Sequence, residues 1–368
     1  MPELAAFSGS YLQARGKFVD AARASGARVY EFRHPTLKGP AGEPLCLDVA
    51  VAGPEQAERV LVVGSGTHGI EGFAGSAAQT AWLGSGWAKR LPARTAMVFL
   101  HAHNPWGFAW KARGTEENVD LNRNFLDHGR PYPENPGYAE VHPIVTPETW
   151  DDATQAEVFR RLDELRARMG EKAFSTAFNG GQFSHADGLY FGGHREQWAN
   201  YAFREAVVKH VAHAKHAAIV DLHTGIGPWC EHVYLCFHPE GSKARERARE
   251  WWGERAVNGA GITHKALADY QGILVDAFAQ MLPKAEVTGV VVEFGTLPRV
   301  EIQRANMAGR WLKYHGERDP ALARKTQAHI CETYYPADPK WRAAVLEQSA
   351  EIFERGLAGI GRQARRLS

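Results

Sequence analysis

The stretch "VLVVGSGTHGIEGFAGSAAQ", residues 60–79, joins three local signals. Val60 to Val63 is a continuous apolar run, as in a strand covered on both faces. Gly64, Gly66 and Gly69 then mark a turn, and small residues from Gly72 onward open a helix. Within the turn stand His68 and, three residues on, Glu71. Ligands of open α/β sheets bind outside the carboxyl ends of the strands, which is where this polar pair falls.

Runs of the same kind recur along the chain. Strands are expected at 28–34, 45–52, 59–66, 95–103, 217–223, 232–238 and 289–295, and helices at 146–170, 195–211, 242–257 and 339–366. The helix at 146–170 is expected to start with Thr146 as its cap and Pro147 in its first turn, and to end at Gly170. This alternation argues α/β architecture around a largely parallel sheet. The longest irregular stretches are 126–145 and 179–194, and no repeat or glycine/serine linker marks a boundary. One domain over 1–368 is expected.

Forty-three lysines and arginines against 42 acids leave a formal charge of +1, so nothing points to a nucleic-acid or anionic-membrane partner. The sequence opens without a basic segment followed by an apolar one, and no apolar run approaches the roughly 18–20 residues of a membrane span. The four cysteines form no CxxC pair and are too few for a disulfide framework. A soluble, cytoplasmic protein with reduced thiols is expected.

Other polar residues also fall at strand ends. His103 and Asn104 follow the strand at 95, His223 closes 217–223, and Glu293 lies near the end of 289–295. Between them, "WKARGTEENVDLNRNF" (110–125) carries Arg113, Asp120, Asn122 and Arg123. Two histidines and a glutamate suit a catalytic zinc, where three protein ligands leave a fourth position for water. A neighbouring carboxylate such as Glu293 would take the proton of that water. Taken alone, a His-x-x-Glu pair is more often ordinary polar structure; His223, Glu293 and the arginine loop alter that balance. His101 and His103, near the end of one strand, are not expected to chelate a metal jointly. His210, His213 and His216 read as a solvated helix face, and His232 and His238 as structural.

Five segments, "GTHGIEG" (66–72), "HNPWGF" (103–108), "VDLNRNF" (119–125), "VDLHTG" (220–225) and "VVEFGT" (291–296), stand in the order found in zinc metallocarboxypeptidases of the carboxypeptidase A clan. The chain resembles a bacterial-type branch of that clan known mainly as a domain of unknown function, related also to aspartoacylase/succinylglutamate desuccinylase-like deacylases. The resemblance covers about 45–315. It implies a three-layer α/β/α fold with a mixed, mostly parallel sheet, the helices of 320–366 packing on it. It implies one zinc per chain, held by His68, Glu71 and His223, with Glu293 as general base. By the same resemblance Arg113 polarises the scissile carbonyl, and Asn122 and Arg123 hold the free carboxylate of the substrate. Asp120 then orients the first zinc histidine, and Tyr270, in "DYQGILVDAF" (269–278), covers the substrate.

Departures accompany the matches. Trp106 stands where the clan has an acid and reads as a packing or rim residue, and the spacing after Tyr270 is shorter than usual. If that alignment holds, residues near Val275 line the specificity pocket; otherwise they are a buried helix start. The loop 180–193 is expected as a wall or lid, with His185 and Tyr190 as polar contacts, or else as a plain connection.

The function expected is a zinc hydrolase cleaving an amide beside a free carboxylate, on short peptides or on N-acyl amino acids. A non-catalytic binding module on the same fold is disfavoured by the presence of both Glu293 and Arg113. A nucleotide site at "GSGTHG" (64–69) is disfavoured by its incomplete glycine spacing.

Overall fold

The computed structural model describes residues 2–258 and 268–366. Seven strands form one sheet: β1 (Arg28–Lys38), β2 (Pro44–Ala52), β3 (Arg59–Ser65), β4 (Thr95–His101), β5 (His216–Gly225), β6 (His232–Leu235) and β7 (Glu286–Gly295), in the order β1-β2-β4-β3-β5-β7-β6. The central four, β4-β3-β5-β7, are parallel, while β1, β2 and β6 add antiparallel edges. Strand order reverses between β3 and β5, so the crevice of a doubly wound sheet opens at their carboxyl ends.

Both faces of the sheet are apolar, with the period-2 alternation of a strand. Leu61, Val63, Met97, Phe99, Ala218 and Val220 pack into a core with Trp251, Trp252, Trp341 and Phe353. Their neighbours Val60, Val62, Val98 and Ile219 pack on the opposite side with Phe203, Val207 and Phe278. Those partners lie on helices Lys243–Trp252 and Pro339–Arg366 on one face, and Trp198–His210 and Leu274–Met281 on the other. The result is the three-layer α/β/α arrangement expected. A third cluster joins Ile70 and Phe108, which follow β3 and β4, to helices Arg299–His315 and Pro320–Tyr334.

Several local expectations are corrected. The helix expected from Thr146 starts at Asp152, capped by Asp151, whose carboxylate accepts from the Thr154 amide at 2.8 Å. An aspartate is the better cap; Thr146 instead donates its hydroxyl to the His142 carbonyl, closing a helix at Tyr138–Val145 inside a stretch read as irregular. The run at 242–257 divides at Gly253, whose φ of 91° ends the first helix. His210 and His216 do not share a solvated face. His210 is buried against Tyr30, with its pKa pushed down to about 4 by burial, and His216 begins β5.

Helix Gly72–Gly84 lies unusually close to the sheet, because a Cβ on Gly75 would stand 2.6 Å from Ser65 Cβ and 3.3 Å from Leu222 Cβ. Gly84, at the end of the same helix, has nothing within 4 Å. Gly75→Val is therefore expected to lower stability by about 1–3 kcal/mol, the usual range for overpacking. Gly84→Ala should leave it unchanged or slightly raised. Urea unfolding of both variants checks the contrast, and equal midpoints would refute it.

Candidate metal centre

The turn after β3 is shaped by backbone contact. A Cβ on Gly69 would lie 1.9 Å from the Gly107 carbonyl carbon, so only glycine fits there. The Gly69 amide donates to the Arg113 carbonyl (3.1 Å) and the Ile70 amide to that of Ala112 (3.0 Å). These bonds bring the 110–115 loop beside Glu71. Glu71 precedes the first residue of helix Gly72–Gly84 and makes no capping bond, so its carboxylate is free to face inward. His223 reaches the same point from β5, and register pairing sets Glu293 of β7 opposite it.

Three donor atoms close a triangle. His68 Nδ1 lies 3.0 Å from Glu71 Oε1, His223 Nδ1 lies 3.0 Å from Glu71 Oε2, and the two Nδ1 atoms are 3.1 Å apart. Tetrahedral zinc with bonds of about 2.0–2.1 Å spaces its ligands about 3.3 Å apart, so the triangle matches it closely. All three residues are buried, and no other such group occurs among the described residues.

Each histidine is held from behind. His68 Nε2 is 3.2 Å from Asp120 Oδ1, and His223 Nε2 is 2.7 Å from Asp221 Oδ2. A carboxylate at Nε2 fixes the tautomer with its proton there and turns the Nδ1 lone pair toward the triangle. Two such lone pairs 3.1 Å apart repel unless a metal ion, or a proton on His223, lies between them. The residues therefore fit a metal ion.

The charges agree. Burial alone would raise the Glu71 carboxyl, but His68 and His223 outweigh it and hold it low. Burial likewise opposes ionisation of Asp120 and Asp221, yet Arg113 and His68 hold down the first and His223 the second. His223 is pushed well above the usual imidazole range, because Asp221 and Glu71 outweigh its burial. Glu293 differs: burial, and then the charge of Glu71, lift it to about 7. Its Oε2 accepts from the Ile226 amide at 3.3 Å.

A cavity of about 370 Å³ gathers the remaining expected residues around this centre. Arg113 Nε and Nη2 both reach Asp120 Oδ2 at 3.1 Å, and Nη1 reaches Glu71 at 3.2 Å. Arg113 Nη2 also stands 2.8 Å from His68 Nε2; with the Nε2 proton given to Asp120, that is an approach of two donors rather than a hydrogen bond. The Asn122 carboxamide oxygen accepts from the Leu274 amide (2.8 Å). Buried Arg123 donates to the carbonyls of Asn122 and Asn179 (2.8 Å each), its Nε is unpartnered, and no carboxylate lies within ion-pair distance among the described residues. Tyr270 covers the Arg123 guanidinium at 4.6 Å.

Other expectations resolve unevenly. Val275 is wholly buried in the core, against Ile219 across Gly289, and does not line the cavity; the apolar lining comes from Leu235, Phe237, Ile273 and Val291. Of the loop 180–193, Tyr190 forms cavity wall, while His185 turns away to pack on His142. The loop is tied down by Asn118, which donates to the Ala186 and Gly188 carbonyls, and by Arg310, which donates to Asp187. His101 stacks on Phe18 and His103 packs by Phe203, on opposite sides, because β4 ends at His101 and the backbone turns at Ala102 (φ 61°). His238 accepts from the Gly289 amide at 2.7 Å, a structural role. All four cysteines are free. No helix among the described residues is long and apolar enough to cross a membrane.

Sequence reasoning missed Asp221, although its signal was present, two residues before His223 on one strand and so on the same face. It also missed Asn306 and Tyr334, which line the cavity from the helix at the end of the motif core and from the helix after it, and carry no motif.

A family model described as "Protein of unknown function (DUF2817)" matches residues 7–348, consistent with the uncharacterised branch expected from the motifs. No curated protein matches the sequence. Similar solved structures include bovine thrombin-activatable fibrinolysis inhibitor in complex with tick carboxypeptidase inhibitor (13% identity, 88% of this chain and 97% of that one, TM-score 0.44). Carboxypeptidase A of Helicoverpa armigera follows at 12% identity, 87% and 73% coverage and TM-score 0.43. A protein of Shewanella amazonensis assigned to the succinylglutamate desuccinylase/aspartoacylase family has 17% identity, 78% and 73% coverage and TM-score 0.35.

The clamp behind each histidine makes metal binding testable. His68→Ala is expected to abolish stoichiometric zinc. Asp221→Asn should weaken affinity by roughly 10–100-fold while the ligands remain. Elemental analysis and chelator competition read both, and unchanged affinity in both variants would show that the triangle holds no metal.

Proposed function

Because the chain belongs to the DUF2817 family, whose description assigns no reaction, we propose from the site that it is a zinc-dependent hydrolase cleaving an amide bond beside a free carboxylate. The observation that carries this reading is one cavity holding both a buried metal triangle and a buried, acid-free arginine. His68, Glu71 and His223 would hold the zinc, which supplies, when bound, a Lewis acid that polarises a carbonyl and acidifies water.

This chain's own residues supply the rest. Arg123 is a buried cation with no carboxylate within ion-pair distance among the described residues, and an unpaired buried charge is costly. A substrate carboxylate satisfies it, as a charge-assisted bond to a guanidinium. Tyr270 shields that pair from water, and Asn122 fixes the helix start at Leu274 beside it. Leu235, Phe237, Ile273 and Val291 then favour an apolar side chain on the residue released.

Glu293, in its ionised form, takes the proton of the attacking water and delivers it to the leaving amine. Burial and the Glu71 charge raise its proton affinity, while a cation at the triangle favours its carboxylate, so it can both take up and release the proton. Arg113, poised between Asp120 and Glu71, stabilises the charge that develops on the carbonyl oxygen. We assign the activity to short peptides in the cytoplasm, carboxypeptidase-like. The cavity's 370 Å³ also holds one residue with a short acyl group, which favours N-acyl-amino-acid deacylation as the second reading.

Glu293→Gln is expected to cut turnover by roughly 10²–10⁴ while zinc content stays at wild-type level. Release of the terminal amino acid from N-acyl amino acids and short peptides measures it. Full turnover in a variant that retains its metal would reject Glu293 as the base.

A further inference from the structure

A second, larger groove of about 790 Å³ adjoins the metal cavity and shares Arg113, Tyr190, Asn306 and Tyr334 with it. The partition is a hydrogen-bonded bridge. Asn306 donates to the Tyr190 hydroxyl at 2.9 Å and accepts from the Tyr334 hydroxyl at 2.7 Å. Tyr190 has a φ of 51°, uncommon for a non-glycine residue, and its ring lies 5.2 Å from the Arg113 guanidinium. Backbone held this way clusters where ligands are handled.

The groove beyond the bridge is basic. Lys111, Lys313, Arg324 and Arg310 line it together with Arg113, against Glu317 and an Asp120 already bonded to Arg113. Arg310 is neutralised by Asp187, and Lys313 donates to the Thr115 and Glu116 carbonyls. The side chains of Lys111 and Arg324 have no hydrogen-bond or ion-pair partner among the described residues. Trp106 and Trp110 stack 5.9 Å apart on the same rim.

Arg113 fixes the direction of a bound substrate. If Arg123 holds the carboxylate of the residue released, as proposed above, the scissile carbonyl lies at Arg113, and whatever is attached on its acyl side continues into the second groove. We propose that this groove binds the acyl side of the substrate and selects an acyl portion bearing a carboxylate, paired with Lys111 and Arg324. The inference rests on the hydrolase reading for its direction. An acidic residue preceding the one released and a dicarboxylic N-acyl group share this chemistry.

Equilibrium binding to the zinc-loaded Glu293→Gln protein tests it without turnover. Acetyl-Glu-Phe is compared with acetyl-Gln-Phe, and glutaryl-Phe with valeryl-Phe, by calorimetry. The charged member of at least one pair should bind about tenfold more tightly, as two partly exposed ion pairs allow. The pair that shows the preference identifies the source. The preference should shrink between low salt and about 0.5 M NaCl, and should vanish in Lys111→Met/Arg324→Met. Equal affinity within both pairs, or no binding of any, overturns the proposal, as does a preference that survives both salt and the double substitution. A charge preference in binding with no hydrolysis by the wild type would sink the hydrolase reading while leaving the groove's selectivity standing.

Discussion

Two imidazole nitrogens held 3.1 Å apart, each with its lone pair turned inward, set the terms for the rest of the site. That arrangement is unfavourable in isolation. It persists because Asp120 and Asp221 grip the far nitrogens and Glu71 closes the triangle. The charge excess so created is satisfied by a bound metal ion or, without one, by a proton that His223 shares with Glu71. The sheet serves this constraint by placing β3, β5 and β7 side by side, so that a turn residue, a strand residue and their register partner meet at one rim.

The same concentration of negative charge tunes Glu293. Burial and the nearby Glu71 carboxylate make its ionisation costly. A positive ion at the triangle acts in the opposite sense, favouring the carboxylate. Base strength and metal occupancy are therefore linked quantities in this protein rather than independent properties of two residues.

Much of this was legible in the sequence. The central strands were readable because both faces of the sheet are covered there, which makes those runs nearly continuously apolar. His68, Glu71, His223, Glu293, Arg113 and Arg123 were readable because they end such runs or sit in one polar loop, and the structure brings them into one cavity. What escaped depends on packing across distant segments. Asp151 outcompeted Thr146 as a helix cap by local chemistry alone, but Val275 fell into the core because Gly289 leaves room for it. His210 looked polar on its helix, but the fold buries it with its ring packed on Tyr30 from β1. Tyr334 and Asn306 joined the cavity through helix packing that no spacing in the sequence announces.

The triangle also spans the chain in time. His68 and His223 are 155 residues apart, and Thr224, beside His223, donates its hydroxyl to the carbonyl of Tyr334, a further 110 residues on. Contacts of such separation form late, because the entropy of closing long loops has to be overcome first. A growing chain emerging from the ribosome thus has no preformed grip on a metal until most of it has been made. Any ion the centre holds would therefore be met by a largely completed chain rather than by an early nascent one.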